Sequence, residues 1–251
     1  MSVSEDGVPL SEDALLGGRV RLRQPVDGAR VSIDAIFLAA SVPVAPGELV
    51  LDIGCGSGAA MLCVAAREPQ CRVVGLERRR ELVRIAGDNA ILNNMANRVT
   101  VMVGDLLQPP PRISAGAFDH VIANPPYLDP AQANEAPNPA RAEATIEGEA
   151  DFGDWVRFAL TMAKPKGTVS FVHRADRIDT VLGRIAGRAG EVVVFPLWPG
   201  QGRAASRILV RARKQVGAPA RLAAGLVLHE ADGRFSAAAE AVLRGGEGLA
   251  L

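Results

Sequence analysis

The sequence predicts an α/β fold, a mostly parallel sheet with helices on both faces. Three observations predict it. Short apolar stretches recur at Leu49 to Ile53, Arg72 to Leu76, Val99 to Val103 and Phe118 to Ile122. Between them lie segments of helical spacing, such as Arg80 to Met95 with Leu82, Val83, Ala86, Ala90 and Ile91 apolar. The first apolar stretch runs straight into glycines and then an Ala/Leu/Val segment to about Arg67. Strands buried on both faces read as continuous apolar runs, and parallel neighbours need a crossover that a helix supplies.

The elements follow in order. The first fifteen residues read as a mobile segment, and Leu16 to Pro25 holds a short alternating strand with Val20 and Leu22 inward. Ser32 to Ser41 is an apolar helix that Pro43 and Pro46 end. After the four strands, residues 124 to 149 are rich in Pro, Ala, Asn and Glu without a period, the mark of a functional loop. Phe152 to Lys164 reads as a helix, Thr168 to His173 as a strand and Asp176 to Ala189 as a helix. Glu191 to Leu197 and Arg207 to Arg213 are two closing strands, the last antiparallel, which makes seven with a final reversed strand. The tail, Gly225 to Gly245, reads as a strand, an Asp232-Gly233 turn and an Ala-rich helix. The expected organisation is one domain over 16–251: an N-terminal segment (16–48), a ligand-binding core (49–127), a substrate loop (128–150) and a C-terminal half (151–251).

Composition narrows the function. Apolar residues at 48% and charged residues at 22% exclude a disordered chain. The apolar run from Ile36 to Val44 is too short and too proline-broken to span a bilayer, and the acidic start Met1 to Asp6 is no signal peptide. Cys55, Cys63 and Cys71 show no metal-ligand pattern, and an odd count without an export signal fits a reducing cytoplasm. Formal net charge is zero, which argues against a uniformly basic nucleic-acid binder. Between Trp155 and Lys214, however, twelve bases face three acids, a stretch that either meets phosphate or is solvated surface.

Four motifs carry chemistry. Leu51-Asp52-Ile53-Gly54-Cys55-Gly56-Ser57-Gly58 runs a buried strand into three alternate glycines and a helix. Glycine permits the sharp turn and lets a ligand approach without a Cβ in the way. The same residues loosely fit a dinucleotide fingerprint. Glu77, nineteen residues beyond Gly58 at the tip of the second strand and followed by Arg78, can accept from both hydroxyls of a ribose. Gly104-Asp105-Leu106 places an acid at the third strand end, where it can accept from an adenine amino group. Asn124-Pro125-Pro126-Tyr127 follows the fourth strand, and its prolines fix a loop whose carbonyls cannot join a sheet. An exocyclic amine or amide nitrogen is a poor nucleophile because its lone pair is delocalised. The Asn124 side-chain oxygen and the Pro125 carbonyl can hold its two hydrogens and aim the lone pair at a methyl group, while Tyr127 stacks on a planar acceptor.

Together these motifs resemble the class I, Rossmann-like methyltransferases that use S-adenosylmethionine (SAM), and within them the branch carrying Asn-Pro-Pro-Tyr. That branch methylates adenine N6, guanine N2 or the glutamine amide. The resemblance implies that Asp52, Gly54, Cys55, Gly56 and Gly58 shape the methionine side of the cofactor pocket, that Glu77 and Arg78 flank the ribose, and that Asp105 and Leu106 flank the adenine. Asn124, Pro125, Pro126 and Tyr127 would be catalytic, with Asn124 also against the cofactor and S-adenosylhomocysteine as product. A nicotinamide cofactor is disfavoured, since such dehydrogenases do not usually pair a glycine loop with this fourth motif.

Leu16-Gly17-Gly18, Gln24-Pro25, Ser32 to Ala39 and Asn138-Pro139-Ala140-Arg141-Ala142 resemble flanks of bacterial enzymes that methylate N6 of the adenine beside the anticodon of a valine tRNA. The implied partner is RNA, with no metal and no membrane. The alternatives are another RNA base N-methyltransferase or a glutamine-amide methyltransferase; relatives of the latter kind usually carry a helical recognition domain, for which the residues before Asp52 leave little room. A SAM-binding module without catalysis is the third reading. His173 and His229 read as structural, because direct methyl transfer needs no strong base.

Overall fold

The computed structural model describes residues 2–4, 7–27, 30–126 and 150–251. Its elements are β1 (Ser2–Val3), β2 (Pro9–Leu15), β3 (Val20–Pro25), α1 (Ile33–Ala40), β4 (Leu49–Ile53), α2 (Ala59–Arg67), β5 (Arg72–Glu77), α3 (Arg80–Leu92), β6 (Val99–Val103) and β7 (Phe118–Ala123). There follow α4 (Phe152–Met162), β8 (Ala163–Arg174), α5 (Ile178–Ile185), β9 (Ala189–Trp198), β10 (Arg207–Lys214), β11 (Arg221–Leu222), β12 (Leu226–Val227) and α6 (Ala237–Leu243).

The main sheet runs β6-β5-β4-β7-β8-β10-β9. Strands β4 to β8 are parallel, and β10 is antiparallel to both β8 and β9. The expected seven-stranded sheet with one reversed strand is therefore present, and the two-residue strands β11 and β12 extend it by pairing with β9. The strand order reverses between β4 and β7, and in open α/β sheets the crevice beyond the carboxyl ends of the strands at such a point is where ligands bind.

Alternation sets the two faces. Val50 packs with α1, α2 and α6, whereas Leu51 and Ile53 pack with α4 and α5. Asp52 thus points to the α2 side, where its carboxylate accepts from the Met61 backbone N–H at 3.1 Å. Ser32 caps α1, and Asp151 and Asp154 form a reciprocal capping box at the start of α4.

One expectation is corrected. Within the first fifteen residues, Pro9–Leu15 is a strand paired antiparallel with β3, and β1 pairs with it in turn. Its sequence, Pro-Leu-Ser-Glu-Asp-Ala-Leu, is too polar to announce a strand. What holds it is the backbone ladder to β3 and the burial of Leu10 and Leu15, with surface ion pairs of Glu12 to Arg21 and Arg23 and of Asp13 to Arg30 added. The other edge of this small sheet is covered by α3. Asn89 and Asn93, one turn apart, pair with the backbones of Arg23 and Arg21 as a neighbouring strand would.

Candidate active site

The carboxyl ends of the parallel strands lie level. The register pairs Ile53 with both Leu76 and Ala123, so Gly54, Glu77 and Asn124 each stand one residue beyond the same line. Val103 pairs with Glu77, which brings Gly104 and Asp105 just past it, and Phe171 pairs with Ala123, which brings Val172 and His173 alongside Asn124 and Pro125. The sheet thus gathers four motifs that are 18 residues or more apart in sequence.

The glycine loop is held from below. The Gly54 and Cys55 backbone N–H groups donate to the Leu76 carbonyl, and Gly58 N–H donates to the Cys55 carbonyl. Gly54, Gly56 and Gly58 all have positive φ, the left-handed region that favours glycine. Their surroundings differ. A Cβ on Gly54 would lie 2.7 Å from the Trp155 ring, and one on Gly58 would lie 2.5 Å from the Met61 methyl, whereas one on Gly56 would meet nothing within 4 Å among the described residues. Gly54 is therefore needed for packing and Gly58 for its backbone angle, since the Met61 methyl is the flexible end of its chain, while Gly56 leaves room for a ligand to reach the backbone. The Cys55 side chain turns inward against Gly75, and burial pushes its thiol well above the ordinary range.

The buried Glu77 carboxylate accepts from the Gly56 N–H at 3.0 Å and the Arg79 N–H at 2.9 Å. These two bonds leave further lone-pair directions on its oxygens for hydroxyl donors. Burial raises the Asp52 carboxyl to about 8, with the Glu77 charge adding to the rise and the Met61 N–H opposing it. Asp105 accepts from its own turn at Leu107 N–H, and Leu106 packs against the α4 face. Arg78 is exposed beyond the strand end.

Asn124 is half-buried and Pro125 buried. The Asn124 Oδ1 atom is buried without a hydrogen-bond partner among the described residues. A buried acceptor left unsatisfied is costly, and such atoms in native folds call for an explanation. Tyr127 and the segment Asn138 to Ala142 lie outside the described residues. His173 is buried against Phe152, ring centroids 5.0 Å apart, and burial lowers it to about 4, which keeps it neutral. His229 stacks on Phe235 at 4.7 Å and hydrogen-bonds the Pro199 carbonyl.

Trp155, which roofs Gly54 from α4, was not marked as a site residue by the sequence; its position one turn into a helix that follows the irregular loop was the available signal. The basic stretch is also not one patch. Arg157, Lys164, Arg174, Arg184, Arg207 and Arg213 are ion-paired, and Arg211 and Lys214 donate to backbone carbonyls. Of the remaining four, Arg177 and Arg203 follow the carboxyl ends of β8 and β9, whereas Lys166 and Arg188 sit at the opposite edge of the sheet. Sequence proximity gathered charges that strand reversal separates.

The comparisons agree with this geometry. A family model described as methyltransferase small domain matches residues 28–140. A tRNA1(Val) (adenine(37)-N6)-methyltransferase of Aeromonas hydrophila is 31% identical over 209 residues, which is 82% of this chain and 85% of that protein. The crystal structure of a protein described as a predicted O-methyltransferase, from Agrobacterium tumefaciens, superposes with a TM-score of 0.73 at 26% identity, covering 87% of this chain and 99% of the other. A geranyl diphosphate C-methyltransferase of Streptomyces coelicolor, solved with S-adenosylhomocysteine, shares the fold at a TM-score of 0.53 and 16% identity, over 72% of this chain and 74% of its own. Fold and site define a Rossmann-like, class I SAM-dependent methyltransferase. The chain belongs to the Asn-Pro-Pro-Tyr family of these enzymes, together with the bacterial tRNA1(Val) (adenine(37)-N6)-methyltransferases.

The residues present fit the cofactor. Among the described residues Gly56 offers open backbone and Glu77 offers a buried carboxylate with spare acceptor capacity. Among the described residues no helix is long and apolar enough to cross a membrane, and no cluster of His, Cys, Asp and Glu could hold a metal ion.

Proposed function

We propose that this enzyme methylates N6 of an adenine in tRNA, the adenine beside the anticodon of a valine tRNA. The observation that carries the reading is the buried Oδ1 of Asn124, without a partner among the described residues and one residue past the line of strand ends that also bears the glycine loop. That oxygen is preorganised to accept one N–H of an exocyclic amine. The Pro125 carbonyl is the natural acceptor for the second N–H, because a carbonyl flanked by two prolines has no strand to pair with. Bound SAM supplies an electrophilic methyl group. The chain's part is to hold the nitrogen with its lone pair forward and to stabilise the positive charge that develops there. In this reading Tyr127 stacks on the extruded base, and no general base is required.

The names of the relatives support tRNA over a protein amide. The test is incubation with labelled SAM and total RNA from a strain lacking the protein, followed by nucleoside mass spectrometry. N6-methyladenosine in a valine tRNA is the expected product. Label appearing only in protein, at glutamine, would replace this reading with the amide one.

A further inference from the structure

Beyond the reacting centre, the connection from β9 to β10 shapes a groove of about 510 Å³, lined by Trp198, Val227 and the turn that includes Gln201 and Arg203. The turn lies on the same edge of the sheet as Asn124, because β9 runs parallel to β8 and ends at Trp198. From β7 to β9 the sheet crosses β8 and β10, about 14 Å at the usual strand spacing. Arg177 stands just past the end of β8, along that crossing.

The groove is built rather than incidental. Trp198 is half-buried, and its indole N–H donates to the Ala224 carbonyl at 3.1 Å, which fixes the ring. The Leu228 N–H donates to the Trp198 carbonyl, and His229 ties down the Pro199 carbonyl beside it. Val227 is 36% exposed and supplies an apolar wall. Gln201 and Arg203 are exposed, and neither side chain has a hydrogen-bond or ion-pair partner among the described residues. Among the described residues no acidic side chain lines the groove.

A fixed aromatic ring, an unpaired guanidinium and a free amide are the three groups that a nucleotide uses: a stacking surface, a phosphate partner and a base-edge partner. We propose that this groove is a subsite for a nucleotide flanking the methylated one, with its base on Trp198 and its phosphate on Arg203. The proposal rests on the RNA reading given above. The RNA strand would leave the reacting centre across the ends of β8 and β10, past Arg177. A free peptide is disfavoured, since the groove offers one ring and one cation but no row of unpaired backbone.

The test measures methylation of unmodified bulk tRNA at saturating SAM, with RNA affinity followed over a range of salt. Trp198→Ala should raise KM for tRNA about tenfold with kcat within about twofold, and Trp198→Phe should restore most of the loss, because a phenyl ring still stacks. Arg203→Ala should weaken binding and reduce the slope of log affinity against log salt by about one. Affinity for SAM should be unchanged in all three. Among the described residues Arg203 makes no side-chain bond, so Arg203→Glu carries the test even where Trp198→Ala fails to fold. If Arg203→Glu, and Trp198→Ala where it folds, keep KM and salt slope within about twofold while the wild type methylates tRNA, the subsite is refuted and the RNA reading stands. If the wild type methylates a glutamine amide and no RNA, both fall together.

Discussion

Replacing Asn124 by Ala should move stability and activity in opposite directions. The Oδ1 atom is buried and unpartnered among the described residues, and an unsatisfied buried acceptor costs about 1–3 kcal/mol. Alanine removes that penalty but also removes packing from a half-buried side chain, a loss of roughly 1 kcal/mol. The net expectation is a gain of about 1 kcal/mol, or about 2–4 °C in Tm for a chain of this size. Turnover should fall at least about a hundredfold, the scale of deleting a preorganised hydrogen-bonding group from a transition state. SAM affinity should stay within about threefold, because the glycine loop and Glu77 are untouched. Scanning calorimetry without cofactor gives the first quantity, single-turnover methylation at saturating SAM the second and titration calorimetry the third. A lower Tm combined with near-normal single-turnover rates would refute the reasoning, since Asn124 would then be a packing residue.

The glycine loop offers a paired contrast. Gly54→Ala should destabilise the fold because its Cβ meets the Trp155 ring, whereas Gly56→Ala should cost about 1 kcal/mol of stability for its positive φ and chiefly impair SAM binding; melting and calorimetry on the two variants read this directly. Asp52 titrates at about 8 in the fold against 3.8 when free, so the folded chain holds a proton that the unfolded one releases in between. That contribution to stability is fully present below about pH 4 and is lost as pH rises through about 8. Asp52→Asn should abolish the slope, so the Tm of the variant minus that of the wild type should grow from pH 5 to pH 8 without cofactor, and a constant difference would exclude this role. Tyr127→Phe should be mild and Tyr127→Ala severe in tRNA methylation, since stacking survives only the first; equal damage would point to the phenol hydroxyl.

The sequence by itself determined the alternation of strands and helices, the glycine loop and the acids at successive strand ends. Each of these is local: an apolar run, a residue type needed for a backbone angle, or a carboxylate placed a fixed distance after a strand. It also determined that Asn124 and Pro125 end the fourth strand, because two prolines forbid its continuation. Three features were settled only in three dimensions. Pro9–Leu15 became a strand by pairing with Val20–Pro25 and burying Leu10 and Leu15, a partner that no local propensity reports. The twelve bases between Trp155 and Lys214 looked like one surface, yet strand reversal sends them to opposite edges and acids such as Asp34, Asp119 and Asp151 neutralise several of them. Trp155 over Gly54, and Trp198 with Arg203 at the groove, depend on the register between strands and on where helices cross. Periodicity fixes which face a residue takes within its own element. Which residue from another element will stand opposite is decided by sheet order, and sheet order is a property of the whole chain.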